Sequence, residues 1–411
     1  MAGISLPFEI DGPTFGTTLF SADPMKSSDH LAWRDKDVTE GACGILRFVH
    51  RLSFNVLPVG RAFRDHGARL FWSVFLPLTA ALPGTASAQT SDQVRSVQNI
   101  FEPVGAPAEM INRTAVLCLL ICLGIFVIVG GLLLYAVVRY RQRPTDDDGT
   151  EPPQVYGSTA IELAWTVPPI LIVIVLALAT ARTVGEIKNA KFAGDPLQIR
   201  IVGHRFWWEL HYPKYNITTA NEIHVPVSYL STPRPIVLTL QSADVAHGFW
   251  VPELNGKQWL VPDHDNEWWI QPTILGTYLG NCTTLCGLQH ANMLIRVIVE
   301  SPEDFDRWVT RQQRPPTFDP GVEEGRKAFL ANTCGSCHRI EGTAANGIFG
   351  PDLTHFMSRQ TLGAGVAPND DKNLRSWLRD PQVLKPGCLM PEMKLDKQQV
   401  EQIVAYLKTL D

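Results

Sequence analysis

Charge is what this sequence is short of. Asp, Glu, Lys and Arg make up 19% of the 411 residues, below the roughly one quarter of an ordinary soluble domain. A positive surplus is missing as well. The formal net charge of −5 excludes a strongly basic nucleic-acid binder, so no nucleic-acid partner is expected. Cysteine is sparse: eight in the whole chain exclude a small disulfide scaffold, and their spacing must show what they do. Hydrophobic residues at 45% exclude a disordered chain. The length, about two to three times that of a usual domain, predicts a multi-domain protein.

What is present is uneven. Arg61, Arg64 and Arg69 precede an apolar run from Leu70 to Leu82, and Ala86-Ser87-Ala88 stands before Gln89. Residues 61–88 therefore read as a secretory signal. Residues 1–60 carry no clear periodicity and read as an N-terminal extension from a mis-assigned start, so the mature chain is expected to begin near Gln89. Residues 89–190 then read as a membrane hairpin. Thr114 to Val138 is uncharged over 25 residues, and about 20 suffice to cross the hydrocarbon core. The second span, 164–181, holds Pro168-Pro169, which the pattern places near the helix start, where a missing N–H costs least. Arg139, Arg141 and Arg143 put the connecting loop in the cytoplasm. With an exported N-terminus, this predicts an N-out, C-out hairpin, and everything after Arg182 lies in an oxidising exterior compartment.

From 197 to 300 the runs LQIRIVG, EIHVPVSYL, PIVLTL, EWWIQ and LIRVIVE alternate with Pro, Gly, Asn and Asp, which predicts an antiparallel sandwich or barrel. Residues 301–320 supply a helix capped by Ser301 and the linker RPPTFDPG. Residues 321–411 read as a small helical domain, ending in a helix where Asp396 and Gln399 have capping-box spacing.

Two constellations carry chemistry. In NCTTLCGLQHANM lie Cys282, Cys286, His290 and Met293, and His247 stands upstream in DVAHGFWVPEL. Two thiolates, two imidazoles and a thioether select copper over hard cations. A mononuclear blue-copper site needs one thiolate, so the second points to two coppers bridged by sulfur. A disulfide between Cys282 and Cys286 is the plainer alternative, and the flanking His and Met weigh against it. The second constellation, CGSCH at 334–338, is the haem c attachment pattern: Cys334 and Cys337 for the thioethers and His338 for the iron. A sixth ligand of methionine type is available in KPGCLMPEMKL.

Over roughly residues 109–307 the chain resembles subunit II of cytochrome c oxidase. That resemblance implies a cupredoxin-like Greek-key barrel holding a dinuclear copper A centre. Cys282 and Cys286 would bridge the coppers, His247 and His290 bind one each, and Met293 and the Thr284 carbonyl would be axial ligands. The family usually has glutamate at Thr284, where its carboxylate helps bind magnesium at the subunit I interface. In GHRFWWELHYP, Phe206 stands where the family has the tryptophan that receives electrons, with Trp207 and Trp208 as the neighbouring candidates. Glu162, in the pattern E-x-x-W-T-x-x-P, matches the glutamate marking the entrance of a proton channel of subunit I. Residues 320–411 resemble class I cytochromes c, through Gly350-Pro351, Trp377 and a pairing of Gly325 and Phe329 with Tyr406. In that family the methionine before proline is the iron ligand, which favours Met390 over Met393.

The expected architecture is thus a multi-domain membrane protein of the bacterial inner membrane: a two-helix transmembrane hairpin, an all-β cupredoxin-like barrel and an all-α cytochrome c domain. The expected cofactors are dinuclear copper A and covalent haem c. Expected partners are subunits I and III, a periplasmic electron donor and membrane lipid. A nitric-oxide-reducing complex or a free periplasmic relay protein stays open as an alternative, whereas a quinol oxidase would not need the copper ligands. Cys118 and Cys122 read as packing residues within the first span, Cys388 as a wall of the haem pocket, and Cys43 falls in the extension. His204, His211, His224, His264 and His355 lack ligand spacing, and Asp146 to Asp148 reads as a solvated loop.

Overall fold

The computed structural model of the protein describes residues 98–411, apart from 142–153 and the single positions 155, 193, 230 and 232. The N-terminal extension with Cys43, the signal at 61–88, Arg143 and Asp146 to Asp148 lie outside the described residues. Helix α1 runs Ala106–Arg139 and α2 Thr159–Lys188. At 1.5 Å per residue each is longer than the roughly 30 Å hydrocarbon core. Both turn their apolar side chains outward: Phe126 is 74% exposed and Leu178 67%. A helix in water could not sustain such a surface. Thr114 and Thr183 hydroxyls, 2.7 Å apart, tie the two helices together. Because α2 starts five residues before the predicted span, Pro168 and Pro169 lie inside it rather than at its start. The carbonyls of Ala164 and Trp165 thereby lose their helical N–H donors.

Ten strands follow. Strands β1 (Leu197–His204), β2 (Trp207–Tyr212), β3 (Ile217–Ala220), β5 (Ile236–Ser242) and β8 (Asn266–Ile270) form one sheet, ordered β3-β2-β1-β5-β8. Strands β4 (Glu222–Pro226), β10 (Leu294–Glu300), β9 (Gly276–Cys282), β6 (His247–Trp250) and β7 (Gln258–Leu260) form the other, in that order. Alternation along β5 sends Ile236, Leu238 and Leu240 inward, where they join Ile199, Ile201, Leu210 and Val297 in one core. The sandwich is not wholly antiparallel, as the runs predicted. β1 pairs parallel with β5 and β10 with β4. After β1–β3 the chain crosses to the other sheet at β4 before returning as β5, and a crossover lets two strands of one sheet run the same way. The indole of Trp269 donates to the Ile187 carbonyl at 2.8 Å, which fixes the sandwich to the end of α2.

Helix α3 (Pro302–Gln312) is capped by Ser301, whose hydroxyl accepts from the Asp304 N–H at 3.1 Å. Its Trp308 stacks on His224 with ring centres 4.5 Å apart. In the C-terminal domain, α4 (Glu323–Ala331) crosses α7 (Lys397–Leu407) at Gly325, where a Cβ would stand 2.8 Å from Cβ of Tyr406. Only glycine allows that approach. Phe329 meets the Tyr406 ring edge-on at 5.9 Å. Asp396 and Gln399 form a reciprocal capping box at the start of α7. Helices α5 (Asp371–Arg379) and α6 (Pro381–Leu384) complete this domain, with a two-residue ladder of β11 (Thr361–Leu362) and β12 (Ala367–Pro368) that an all-α expectation does not contain.

Candidate metal centre and haem-binding segment

Strand β9 delivers Cys282 at its last residue, and β6 opens on His247. The Cys282 N–H donates to the Met293 carbonyl at 3.0 Å, so the intervening loop returns to its own base. Inside that loop Cys286 Sγ lies 3.9 Å from Cys282 Sγ, 3.7 Å from His290 Nδ1 and 3.9 Å from Met293 Sδ. Cys282 Sγ lies 3.9 Å from His247 Nδ1 and 3.2 Å from the Thr284 carbonyl. His247, Cys282, Cys286 and Met293 are all buried. All six positions singled out in the sequence therefore converge on one point. Both cysteines are free thiols. This donor set, two sulfurs with two imidazoles, a thioether and a carbonyl, suits copper and not a hard cation.

Hydrogen bonding with Cys286 holds the Cys282 thiol far below the ordinary thiol range, while the same contact pushes Cys286 up. One sulfur is thus prepared as a thiolate, the form that binds metal. Burial disfavours the charged form of His247, but bonds to Cys282 and Asp244 outweigh it and raise its pKa. The Asp244 carboxylate lies 2.8 Å from His247 Nε2 and itself accepts the Arg205 N–H at 2.7 Å and the Val245 N–H at 2.6 Å. Asp244 was not singled out in the sequence, although a carboxylate three residues before a ligand histidine is the signal that could have found it. It fixes the imidazole with Nδ1 toward the sulfurs. Asp244→Asn should weaken copper binding by roughly 10- to 100-fold, as loss of such a partner does elsewhere. A chelator competition titration reads this directly.

None of the three aromatic candidates for receiving electrons lies at the solvent surface. Trp208 is fully buried, its ring 6.0 Å from that of His247. Trp207 packs on Ala220 and Ala364 and stacks on His204 at 4.4 Å. Phe206 lies under the copper loop, where a Cβ at Gly287 would stand 3.0 Å from its ring. Burial of Trp207 against Ala364 means that the C-terminal domain covers this face.

In the haem-attachment segment, a single 3₁₀ turn, Cys334–Ser336, is closed by the Cys337 N–H on the Cys334 carbonyl at 3.2 Å, which brings the two cysteines together, and the His338 N–H donates to the same carbonyl at 3.0 Å. His338 Nδ1 donates to the Pro351 carbonyl at 2.8 Å, which fixes the tautomer and leaves Nε2 as the lone-pair nitrogen. Burial lowers the His338 pKa and keeps the ring in the neutral form that iron needs. A Cβ at Gly350 would stand 2.5 Å from Cε1 of His338, so the chain beside the ring must be glycine.

Two observations test the fit of a haem here. Ile348 and Phe349, beside the histidine, and Leu389, beside Met390, are apolar yet 75%, 79% and 67% exposed. A macrocycle held by Cys334, Cys337 and His338 would cover such a surface. Arg359 is buried, donates to the Asp352 carbonyl, and its Nε has no acceptor among the described residues. An anionic haem propionate is the class of acceptor it lacks. Met390 is half-buried, with its carbonyl held by the Gln382 amide at 3.0 Å; Met393 is half-buried as well. Cys388 is half-buried beside the same Gln382 amide, 3.3 Å away.

Glu162 lies apart from both sites, exposed in the first turn of α2. Four of the other histidines have partners for their side chains. His204 and His211 flank Glu209 at 2.9 and 3.2 Å; burial opposes ionisation of Glu209, but these bonds outweigh it and hold its pKa at about 2. His224 meets Glu300 at 3.2 Å, and His355 Nδ1 donates to the carbonyl of Asp411 at 2.9 Å.

Comparison with known proteins follows these divisions. "Cytochrome C oxidase subunit II, transmembrane domain" matches residues 97–182, "Cytochrome C oxidase subunit II, periplasmic domain" matches 216–301, and "Cytochrome c" matches 322–411. A cytochrome c oxidase subunit 2 of Alkalihalophilus pseudofirmus is 33% identical over 320 residues, 75% of this chain and 90% of that one. The subunit of the same name in Bacillus sp. strain PS3 is 31% identical, over 66% of this chain and 80% of its own length. Among solved structures, the periplasmic domain of subunit II of cytochrome oxidase of Bradyrhizobium japonicum is 27% identical, covering 30% of this chain and 97% of that one, with a TM-score of 0.28. The protein is a membrane protein with an extracellular domain, and it binds copper and haem. The chain belongs to the cytochrome c oxidase subunit II family, with a cytochrome c domain joined to its C-terminal end, and works as a subunit of that oxidoreductase complex.

Proposed function

We propose that this chain carries electrons one at a time from a periplasmic donor to subunit I of a haem–copper oxidase, where oxygen is reduced to water. A dinuclear copper A centre would be held by the thiolates of Cys282 and Cys286, the imidazoles of His247 and His290, the Met293 thioether and the Thr284 carbonyl. A covalent haem c would be held by Cys334, Cys337, His338 and Met390. These groups supply reversible one-electron chemistry, and the protein sets their ligation and potential. The observation that carries the reading is the union, in one folded unit, of a buried soft-donor cluster and a haem-attachment domain packed on the same face. Optical and EPR spectra of the native complex test it: mixed-valence copper and low-spin haem are expected together, and absence of either refutes the pairing. Oxygen consumption, rather than nitric oxide consumption, is expected of that complex.

The chain sits in the inner membrane as an N-out, C-out hairpin beside subunits I and III, with both redox domains in the periplasm. The outward apolar faces of α1 and α2 support contact with lipid and subunit I. Glu162, at the cytoplasmic start of α2, marks the entrance of a proton path. Glu162→Ala should slow proton-coupled turnover severalfold while copper and haem c are still reduced at the normal rate; unchanged turnover removes the assignment. Met390→Ala should abolish the methionine-ligated low-spin spectrum of haem c. An unchanged spectrum transfers the role to Met393.

A further inference from the structure

Lys385 is 3% exposed, and its ammonium bridges two domains: it donates to the Phe206 carbonyl at 2.8 Å and to the Gly363 carbonyl at 2.7 Å. Phe206 belongs to the turn between β1 and β2, and Gly363 to the turn between β11 and β12. Glu222, 2% exposed at the start of β4, reaches the other way. Its carboxylate accepts the Thr361 N–H at 2.8 Å, the Thr361 hydroxyl at 2.6 Å and the Gln360 N–H at 2.8 Å. Between these anchors the Leu294 N–H donates to the Ala364 carbonyl at 3.1 Å, and Trp207 packs on Ala364. At the copper loop, the Gln289 amide donates to the Pro386 carbonyl, and a Cβ at Gly387 would stand 3.2 Å from Leu288.

A buried charge without partners is costly. The Lys385–Phe206 bond and the three bonds to Glu222 cross between the domains, so a C-terminal domain swinging on its linker would forfeit them and keep only the Lys385–Gly363 bond, which lies within it. We propose that Lys385 and Glu222 are positioning residues that lock the cytochrome domain onto the copper domain, seating residues 386–387, which lead to Met390, against residues 288–289 of the copper loop. Electron exchange between the two centres then occurs within a fixed complex and not by collisions of a tethered domain. It follows that an external donor docks on the cytochrome domain, because Phe206 and Trp207 lie beneath the seam. This inference rests on the reading of the two sites as copper and haem centres.

The intact, copper- and haem-loaded complex provides the test, with Lys385→Met, Glu222→Gln and the conservative Lys385→Arg. Two quantities are read: hydrogen-exchange protection of residues 360–364 and 385–388, and the rate at which an electron injected photochemically into haem c equilibrates with copper as glycerol raises the viscosity. In the unsubstituted protein both segments should be protected and the rate should not respond to viscosity. Lys385→Met and Glu222→Gln should lose protection and slow equilibration by about tenfold or more, since a fixed pose acts through effective concentration. Their optical spectra should stay unchanged, and Lys385→Arg should recover part of the rate. A rate in the unsubstituted protein that falls in proportion to viscosity, or variants that keep both protection and rate, would overturn the proposal. If one cofactor spectrum were missing from the unsubstituted protein, the reading of the centres would fail, and protection at 360–364 would still decide whether the domains are locked.

Discussion

Cys282→Ser should strip the protein of its copper. The serine hydroxyl is a hard, protonated donor where the site offers soft ligands, and Cys282 is the sulfur that meets His247, Cys286 and the Thr284 carbonyl at once. Hydrogen bonding with Cys286 also holds its thiol below the ordinary thiol range, which favours the thiolate that metal binds, so the substitution removes that donor. Metal analysis should show copper falling to background, and the near-infrared absorption of the centre should vanish while the haem c spectrum stays. Thr284→Ala is the matched control. Only the backbone carbonyl of Thr284 faces the sulfur, so alanine should leave copper bound. Copper retained by Cys282→Ser, or lost from Thr284→Ala, would contradict the assigned roles.

The second large effect is expected from Cys334→Ser combined with Cys337→Ser. Without thioether bonds the domain has only the side chains of His338 and Met390 to hold a porphyrin whose binding surface, at Ile348, Phe349 and Leu389, is open to solvent. Covalent haem should be absent from a denaturing gel stained for haem, and electron delivery from the external donor should fall by about 100-fold or more, as expected when a tethered donor is removed. Copper content should not change. Oxygen consumption at the normal rate would mean that donors reach the copper directly, which the burial of Phe206 and Trp207 argues against.

Much of this architecture is legible in the residue order because its signals are local. The uncharged run at 114–138 announces a span, Asp396 and Gln399 announce a helix start, and CGSCH and NCTTLCGLQHANM hold most of their ligands within one turn or loop. What depends on distant residues is not legible. Strand β6 is only four residues long and β9 carries Gly276 and Gly280 among its inward positions, so neither shows a clear apolar alternation. The parallel pairing of β1 with β5 depends on a crossover that no single segment records. The full length of α2 is concealed by Pro168 and Pro169, whose local preference for a helix start yields to the membrane's demand for a continuous helix. Lys385 and Glu222 look like surface charges in sequence, and only the docking of two separately encoded domains buries them. Asp244 is intermediate: three residues from His247, it was visible, but its role needs the Arg205 and Val245 amides that aim it.

The central claim is an order of events: the donor reduces haem c first, and copper receives its electron from haem c. Rapid mixing of the oxidised complex with one equivalent of reduced donor, followed at the haem c band and in the near infrared, tests this most directly. Haem c should reduce first, and its signal should then decay at the same rate at which the copper absorption bleaches. Copper bleaching that precedes haem reduction, or proceeds without it, would contradict the account.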